Sequence, residues 1–142
     1  MSLVLKIKRL DKDAVLPTYE YFGDAACDLY ALRDVTLKTG ERVQIETGIA
    51  MEIPYGNVGL IWDKSGLSHK SGLKTLGGVI DAGYRGEIKI GMINLGSEPY
   101  AFKKGQKVAQ MIIQKREEVV IEEVSELPES ERGTGGFGST GK

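Results

Sequence analysis

Short runs in which apolar and polar residues alternate recur along most of the chain. Alternation with a period of two is typical of β-strands that bury one face. Turn-forming residues separate the runs, among them Thr39-Gly40-Glu41 and Lys104-Gly105-Gln106. Many short strands at this spacing favour a sandwich or barrel over a fold in which strands and helices alternate. The alternating apolar residues are Leu5 and Ile7, Val35 and Leu37, Val43 and Ile45, Ile88, Ile90 and Met92, and Val119 and Ile121.

Two segments depart from this pattern. Only the stretch from Ser65 to about Lys70 is compatible with a short helix. After a polar connector at residues 127–131, residues 132–142 contain five glycines, too many for the interior of a strand or helix. We therefore expect an all-β domain over residues 1–131, followed by a flexible glycine-rich tail over residues 132–142.

Length and composition limit the classes of function. The chain has 142 residues, enough for one domain with its own core. Its net charge of -1 argues against broad binding to nucleic acid but permits a small anionic ligand. Cys27 is the only cysteine, which excludes an internal disulfide framework. No apolar run reaches membrane-spanning length and no signal-peptide pattern occurs, so we expect a cytoplasmic protein without membrane contact.

The glycine-rich tail carries an aromatic residue and a cation. A frayed terminus is common for such a composition, but Phe137 has little use in a solvated linker. Glycine backbone N–H groups can approach a phosphate closely, and Arg132, Ser139 and Thr140 add a cation and two hydroxyls. Two alternatives stay open, a disordered end or a lid that becomes ordered on a ligand.

The segment Gly77-Gly78-Val79-Ile80-Asp81-Ala82-Gly83-Tyr84 places a carboxylate at a tight turn between two apolar runs. A carboxylate at a hairpin tip can accept a proton from water, as a general base must. The alternative is that Asp81 satisfies backbone N–H groups of the turn, which is common. Tyr84 can pack flat against a sugar or simply cover the hairpin.

The segment Asp63-Lys64-Ser65-Gly66 precedes the expected helix. A cation, a hydroxyl and a glycine at a helix start suit a phosphate group. The segment is not a P-loop, because Asp63 stands where the second glycine is required. The alternative is an ordinary helix N-cap formed by Asp63 or Ser65.

Asp28 lies within the apolar run Ala25-Ala26-Cys27-Asp28-Leu29. A carboxylate on a strand can hold a divalent cation through water, as Mg²⁺ prefers, or it can bind the backbone or an arginine. His69 is the only histidine, so a histidine-based metal site or a serine triad is excluded, and we expect it at the surface. We interpret Cys27 as a small buried apolar residue.

Five segments in order resemble the five motifs of the homotrimeric all-β dUTP diphosphatases (dUTPases), and the resemblance covers nearly the full length. Any one of them alone is weak evidence, whereas five at compatible spacing are specific. They are Ala25-Ala26-Cys27-Asp28-Leu29-Tyr30-Ala31, Asp63-Lys64-Ser65-Gly66-Leu67, the stretch from Gly78 to Glu87, Gly105-Gln106-Lys107-Val108-Ala109-Gln110-Met111, and the stretch from Arg132 to Gly141.

The resemblance implies a reaction in which dUTP and water give dUMP and pyrophosphate, which limits uracil incorporation into DNA and supplies dUMP for dTMP synthesis. Water would attack the α-phosphorus in line, with Asp81 as the base that orients it and also touches the ribose 3′-hydroxyl. Gln110 would help to hold this water. Tyr84 would stack on the deoxyribose and leave no room for a 2′-hydroxyl.

The resemblance also implies how the rest of the nucleotide is held. The backbone of Gly78, Val79 and Ile80 would read uracil in a narrow hairpin, and Mg²⁺ on the triphosphate would contact Asp28 through water. A jelly-roll-like fold is implied, in a homotrimer whose active sites each combine pieces of three subunits. The other implied substrate-binding residues are Lys64, Ser65, Gly66 and Lys89, and, from the tail, Arg132, Gly136, Phe137, Gly138, Ser139 and Thr140.

Three positions depart from the family pattern. Lys64 replaces the usual arginine, which keeps the charge but loses the bidentate fork. Ala26 replaces a glycine, and Thr75 replaces an asparagine that assists base recognition in many relatives. The main rival is a dCTP deaminase of the related trimeric fold, which would release ammonia. A β-sandwich that only binds the nucleotide is a third alternative, although the presence of Asp81 and Gln110 argues against it.

Overall fold

The protein forms eleven strands and one helix in a computed structural model that describes residues 2–141. No helix in this part of the chain is long and apolar enough to cross a membrane. The elements are β1 (Lys6–Arg9), β2 (Cys27–Tyr30), β3 (Val35–Leu37), β4 (Arg42–Glu46), β5 (Ile49–Glu52), β6 (Asn57–Trp62), α1 (Ser65–Ser71), β7 (Leu73–Leu76), β8 (Val79–Ile80), β9 (Lys89–Asn94), β10 (Tyr100–Phe102) and β11 (Lys107–Lys115).

The strands pair antiparallel in four small sheets around a single core. The larger sheets have the orders β2-β11-β6-β8 and β4-β9-β7, and the pairs β1-β5 and β10-β3 complete the fold. Alternate residues of these strands point inward, as the period of two predicts. In β9, for example, Ile90 and Met92 are buried while Lys89 is exposed. The expectation of an all-β fold with one short helix is therefore confirmed.

The connection from β7 to β9 differs from the expected hairpin. The apolar runs on either side of Asp81 do not pair with each other, since β8 pairs with β6 and β9 pairs with β7 and β4. Gly78 allows this crossing between sheets. Its φ is +115°, and a Cβ there would lie 2.8 Å from the carbonyl oxygen of Ile61. After β7 the chain leaves the β7–β9 pair, forms β8 beside β6, and passes through the Asp81 turn before it returns as β9.

The expected strand at Val119 and Ile121 is wrong. Residues 116–124 have no regular structure, and Val120 is 96% exposed. The alternation is present, but these residues meet no strand partner within the described chain, and an unpaired strand leaves its backbone groups without hydrogen bonds. The acidic residues around them, Glu117, Glu118, Glu122 and Glu123, are exposed.

Asn94 is a polar residue at the centre of the fold. It is fully buried at the end of β9, where its Nδ2 donates to the carbonyl oxygens of Leu37 (3.1 Å) and Glu98 (2.8 Å). Its Oδ1 accepts from the N–H of Gly96 at 2.9 Å. One side chain therefore holds together the ends of β3 and β9 and the turn that leads to β10.

We predict that Asn94→Ala lowers the free energy of unfolding by about 3 kcal/mol, because buried backbone groups lose their partners. Denaturant unfolding at fixed protomer concentration measures this change. Leu95→Ala serves as the neighbouring control because Leu95 is largely exposed. Equal stabilities of the two variants would contradict the assigned role of Asn94.

Candidate active site

The register of the β2-β11-β6 sheet brings the first, second and fourth motifs side by side. Gln110 on β11 pairs with Asp28 on β2 and with Trp62 on β6. Asp63 and Lys64 follow Trp62 directly and lead into α1. The sheet therefore brings together residues that are far apart in sequence.

Asp28 is a buried carboxylate held between two lysines. It is only 3% exposed; its Oδ1 lies 2.5 Å from Nζ of Lys64, and its Oδ2 lies 3.1 Å from Nζ of Lys107. Burial by itself would raise the pKa of the Asp28 carboxyl, but hydrogen bonds and charge from the two lysines hold this pKa below its usual value. Lys107 also pairs with Glu20 at 2.8 Å, and Glu20 and Asp28 together raise the pKa of the Lys107 ammonium.

Lys107 and Glu20 were not among the residues predicted for the site. The available signal was the place of Lys107 inside the fourth motif, three residues before Gln110. Its partner Glu20 lies in a loop, and no spacing in the sequence connects the two. The contact joins the loop before β2 to β11, the strand that pairs with β2.

The start of α1 presents a cation, a hydroxyl and a glycine, as expected. Ser65 is the first helical residue, and both Ser65 and Gly66 are exposed. The alternative of an N-cap by Asp63 or Ser65 is wrong, because Lys64 occupies the cap position and the helix has no side-chain cap. Asp63 instead turns its carboxylate to β7.

Gln110 is anchored to the connection between β6 and α1. Its Nε2 donates to the main-chain carbonyl oxygen of Asp63 at 2.8 Å. The side chain is partly buried, so one end of the amide is held by the protein. Asp63 also accepts the N–H of Thr75 at 2.7 Å and pairs with Nζ of Lys74 at 2.8 Å.

Asp81 is exposed and makes no side-chain hydrogen bond or ion pair within residues 2–141. The turn is closed by the backbone, where the N–H of Tyr84 donates to the carbonyl oxygen of Asp81 at 3.1 Å. The alternative in which the carboxylate satisfies the turn is therefore not observed. Arg85 braces the same loop, since its Nη1 donates to the carbonyl oxygen of Ala82 at 2.6 Å. The Asp81 carboxylate is thus exposed, on a loop that is held by the backbone bond of Tyr84 and by the side chain of Arg85.

Tyr84 is held at its hydroxyl and remains about half exposed. The hydroxyl donates to the carbonyl oxygen of Glu87 at 2.9 Å. The ring lies over Gly86, where an added Cβ would come within 2.6 Å of the ring carbon that bears the hydroxyl. Glycine at this position therefore leaves room for the tyrosine ring next to Asp81.

The expected substrate-binding residues line two separate depressions. One, of about 430 Å³, is lined by Ile80, Tyr84 and Lys89 together with Gln44 and Glu87. The other, of about 470 Å³, includes Lys64, Gly66, Gln106 and Lys107. The two share no lining residue, so the third motif lies apart from the second motif on this chain. Gly78 is half-buried beside β6, and Val79 is exposed.

The glycine-rich tail does not join either depression. Its backbone hydrogen bonds are local, such as those from Gly135 to Arg132 and from Ser139 to Gly136, both 3.1 Å. Arg132 donates from Nε to the carbonyl oxygen of Gly135 at 2.8 Å, and Phe137 is fully exposed. Gly136 is half-buried, while Gly138, Ser139 and Thr140 are exposed. Residue 142, the last of the expected tail, and residue 1 lie outside the described residues.

Among residues 2–141, no three histidine, cysteine, aspartate or glutamate side chains are grouped to hold a metal ion. The buried Asp28 is one carboxylate whose oxygens already attract cations. A metal ion near this carboxylate would therefore take its ligands mainly from a bound ligand and from water. His69 is exposed and Cys27 is buried, both as expected, and burial raises the pKa of the Cys27 thiol.

The family model described as dUTPase matches residues 12–141. The chain belongs to the dUTPase family. Similar curated proteins include the deoxyuridine 5′-triphosphate nucleotidohydrolases of Clostridium kluyveri and Clostridium tetani. The first is 50% identical, with 96% of this chain and 97% of the relative covered. The second is 49% identical, with 97% of each chain covered.

Solved dUTPase structures share this fold. A mutant dUTPase of Staphylococcus bacteriophage 80alpha with dUpNHpp has a TM-score of 0.93 and 30% identity, covering 99% of this chain and 100% of that one. A mutant dUTPase of phage phi11 of S. aureus, described with a structural Mg(II) ion, has a TM-score of 0.82 and 27% identity, covering 87% of this chain and 98% of that one. The jelly-roll-like fold is therefore confirmed, and the deaminase alternative finds no support among these dUTPases.

We predict that the ion pairs of Asp28 make stability of this dUTPase family member depend on pH. Because the folded pKa lies below the unfolded one, the stabilisation is complete above the unfolded value and is lost as pH falls through the folded pKa. The difference in unfolding free energy between wild type and Asp28→Asn should thus be constant above about pH 5 and shrink as pH falls below it. Denaturant unfolding in metal-free buffer measures it, and a difference that is constant with pH would contradict the assignment.

Proposed function

We propose that the protein hydrolyses dUTP to dUMP and pyrophosphate through in-line attack of water on the α-phosphorus. Membership of the dUTPase family supports the reaction. The observation that carries the mechanism is the exposed Asp81 carboxylate, which has no side-chain partner within residues 2–141 and stands on a loop braced by Arg85. A carboxylate kept free in this way can accept a proton from water and orient it for attack.

The depression lined by Ile80, Tyr84 and Lys89 carries the selection of sugar and base. Tyr84 is fixed at its hydroxyl, so its ring can stack on a deoxyribose and exclude a 2′-hydroxyl. The backbone of Gly78, Val79 and Ile80 reads uracil by hydrogen bonds beside it, and Lys89 lines the same depression. Selection by polar groups is strong because the wrong base leaves buried groups unpaired.

The depression lined by Lys64 and Gly66 holds the triphosphate. Lys64 supplies a cation, while Ser65 and Gly66 offer a hydroxyl and an open approach at the start of α1. Mg²⁺ carried by the triphosphate, when bound, neutralises charge on the leaving group. Asp28 lies next to Lys64 and is the carboxylate that would contact the water shell of this ion. Gln110 helps to hold the attacking water.

A homotrimer with shared active sites accounts for the separation of the two depressions. On one chain the Asp81 loop and the start of α1 line different depressions, so a complete site needs another copy. Exposed apolar residues after β11 also favour association, since a solvated connector has no need of them. They are Val119, Val120, Ile121, Val124 and Leu127. Location in the cytoplasm, without nucleic-acid or membrane partners, completes the proposal.

The tail forms a lid on a neighbouring subunit's site. Its backbone bonds are local and its side chains are exposed, so it is free to fold over a nucleotide elsewhere in the assembly. Phe137 lies over uracil in this arrangement. The residues that hold the γ-phosphate and adjoining groups are Arg132, Gly136, Gly138, Ser139 and Thr140.

Product analysis tests the reaction. With Mg²⁺ present, we expect pyrophosphate from dUTP and little from dCTP, dTTP or UTP, with no ammonia from dCTP. Asp81→Asn should lower kcat at least about a hundredfold because the general base is removed, while nucleotide binding persists because the shape is kept. Ammonia from dCTP would replace the proposal with a deaminase, and wild-type turnover by Asp81→Asn would refute the role of Asp81.

Truncation after Glu131 tests the lid. We expect a folded protein of unchanged oligomeric state whose kcat/KM for dUTP falls at least about tenfold, because the site is no longer closed. Phe137→Ala in the full chain is the companion variant and should show part of the same loss. Unchanged kcat and KM after truncation would show that the tail is not a lid.

A further inference from the structure

The Asp63 carboxylate joins the two larger sheets next to the proposed site. Strand β7 is an edge strand in the order β4-β9-β7, so its outer backbone groups have no strand partner. Asp63 Oδ1 accepts the outward N–H of Thr75 at 2.7 Å, and Oδ2 pairs with Nζ of Lys74 at 2.8 Å. The end of β6 is thereby fastened to β7 through one side chain.

The main chain of the same residue holds Gln110. A carbonyl oxygen only accepts hydrogen bonds, so the group of Gln110 that faces Asp63 at 2.8 Å must be the NH₂. The amide is planar, and its oxygen is therefore directed away from Asp63. That oxygen is the atom able to accept a hydrogen bond from an attacking water.

We propose that Asp63 is a positioning residue for the reaction: its carboxylate fixes the main-chain carbonyl that orients the Gln110 amide. The inference rests on the proposed function, since it assumes that Gln110 holds the attacking water. Asp63 itself touches neither the water nor the substrate and acts only through Gln110. The carboxylate that binds Thr75 and the carbonyl that binds Gln110 belong to the same residue between β6 and α1, and this connects the two contacts.

The carboxylate contacts of Asp63 and the position of its carbonyl are closely coupled because the connection between β6 and α1 is short. Only Asp63 and Lys64 separate β6 from α1, and Lys64 is itself tied to Asp28 at 2.5 Å. Loss of the Asp63 contacts frees this connection on its β7 side, and the carbonyl moves with it. Misplacement of a reacting group by about 1 Å can lower a rate on the order of a hundredfold.

The Asp63 carboxylate is suited to keep its contacts with Thr75 and Lys74 near neutral pH. Burial alone would raise its pKa, but hydrogen bonds from Lys74 and Thr75 hold the pKa of Asp63 below its usual value. The group therefore stays ionised near neutral pH. Asparagine keeps an oxygen acceptor for the Thr75 N–H and loses only the charge that faces Lys74.

The test is a set of kinetic measurements with dUTP on four variants. We expect Asp63→Ala to lower kcat on the order of tenfold with KM changed less than about threefold, because alignment is lost and binding is kept. Asp63→Asn should restore kcat to within about threefold of wild type. Lys74→Met should behave as wild type because Thr75 remains bound. Gln110→Ala should lower kcat by itself.

A double-mutant cycle separates positioning from general stability. In the Gln110→Ala background, Asp63→Ala should cost little further kcat, because the side chain that it positions is gone. Thermal unfolding of all variants reports stability separately, and Asp63→Ser replaces the alanine variant in the cycle if that variant does not fold. The same loss of kcat in both backgrounds, or wild-type kcat in Asp63→Ala, would overturn the role of Asp63 alone. Wild-type kcat in Gln110→Ala would overturn the proposed role of Gln110 and the inference with it.

Discussion

The ion pairs of Asp28 organise the site more than any other interaction. An ionised carboxylate that is only 3% exposed needs nearby cations to offset the loss of water. Lys64 of the second motif and Lys107 of the fourth motif supply them. The cost of burying this charge is thus offset only when β2, β11 and the start of α1 are all in place. The ion pairs of Asp28 therefore link the packing of β2, β11 and the start of α1.

The residues of the proposed mechanism line two separate depressions, although both groups connect to the sheet β2-β11-β6-β8. The sheet β2-β11-β6-β8 carries Asp28, Gln110 and the start of α1, and the loop with Asp81 and Tyr84 leads from its edge strand β8 to β9 in the other larger sheet. Gly78 lets β8 cross between them at close range. Two separate depressions on one chain fit the proposed site, in which other copies supply the missing parts.

The sequence predicts what depends on local pattern and misses what depends on sheet register. The strands at Val43 and Ile90, the helix from Ser65 and the buried Cys27 follow from periodicity and composition. The pairing of β8 with β6 and the Lys107–Glu20–Asp28 cluster do not, because they join residues whose separation carries no signal. The strand predicted at Val119 does not form, because alternating residues make a strand only where a partner strand is present.

The contact of Lys64 with Asp28 offers a physical reason for a lysine where the family resemblance predicts an arginine. An ammonium has three donors, and its contact with Asp28 at 2.5 Å uses one of them. Two donors remain for phosphate oxygens, so a nucleotide can bind without breaking the ion pair that the buried carboxylate requires. A guanidinium would bind phosphate with a planar fork, but its larger head would have to face Asp28 and the phosphate at fixed angles. In the proposed site, Lys64 therefore lacks the bidentate geometry of arginine but can contact Asp28 and a phosphate group at once.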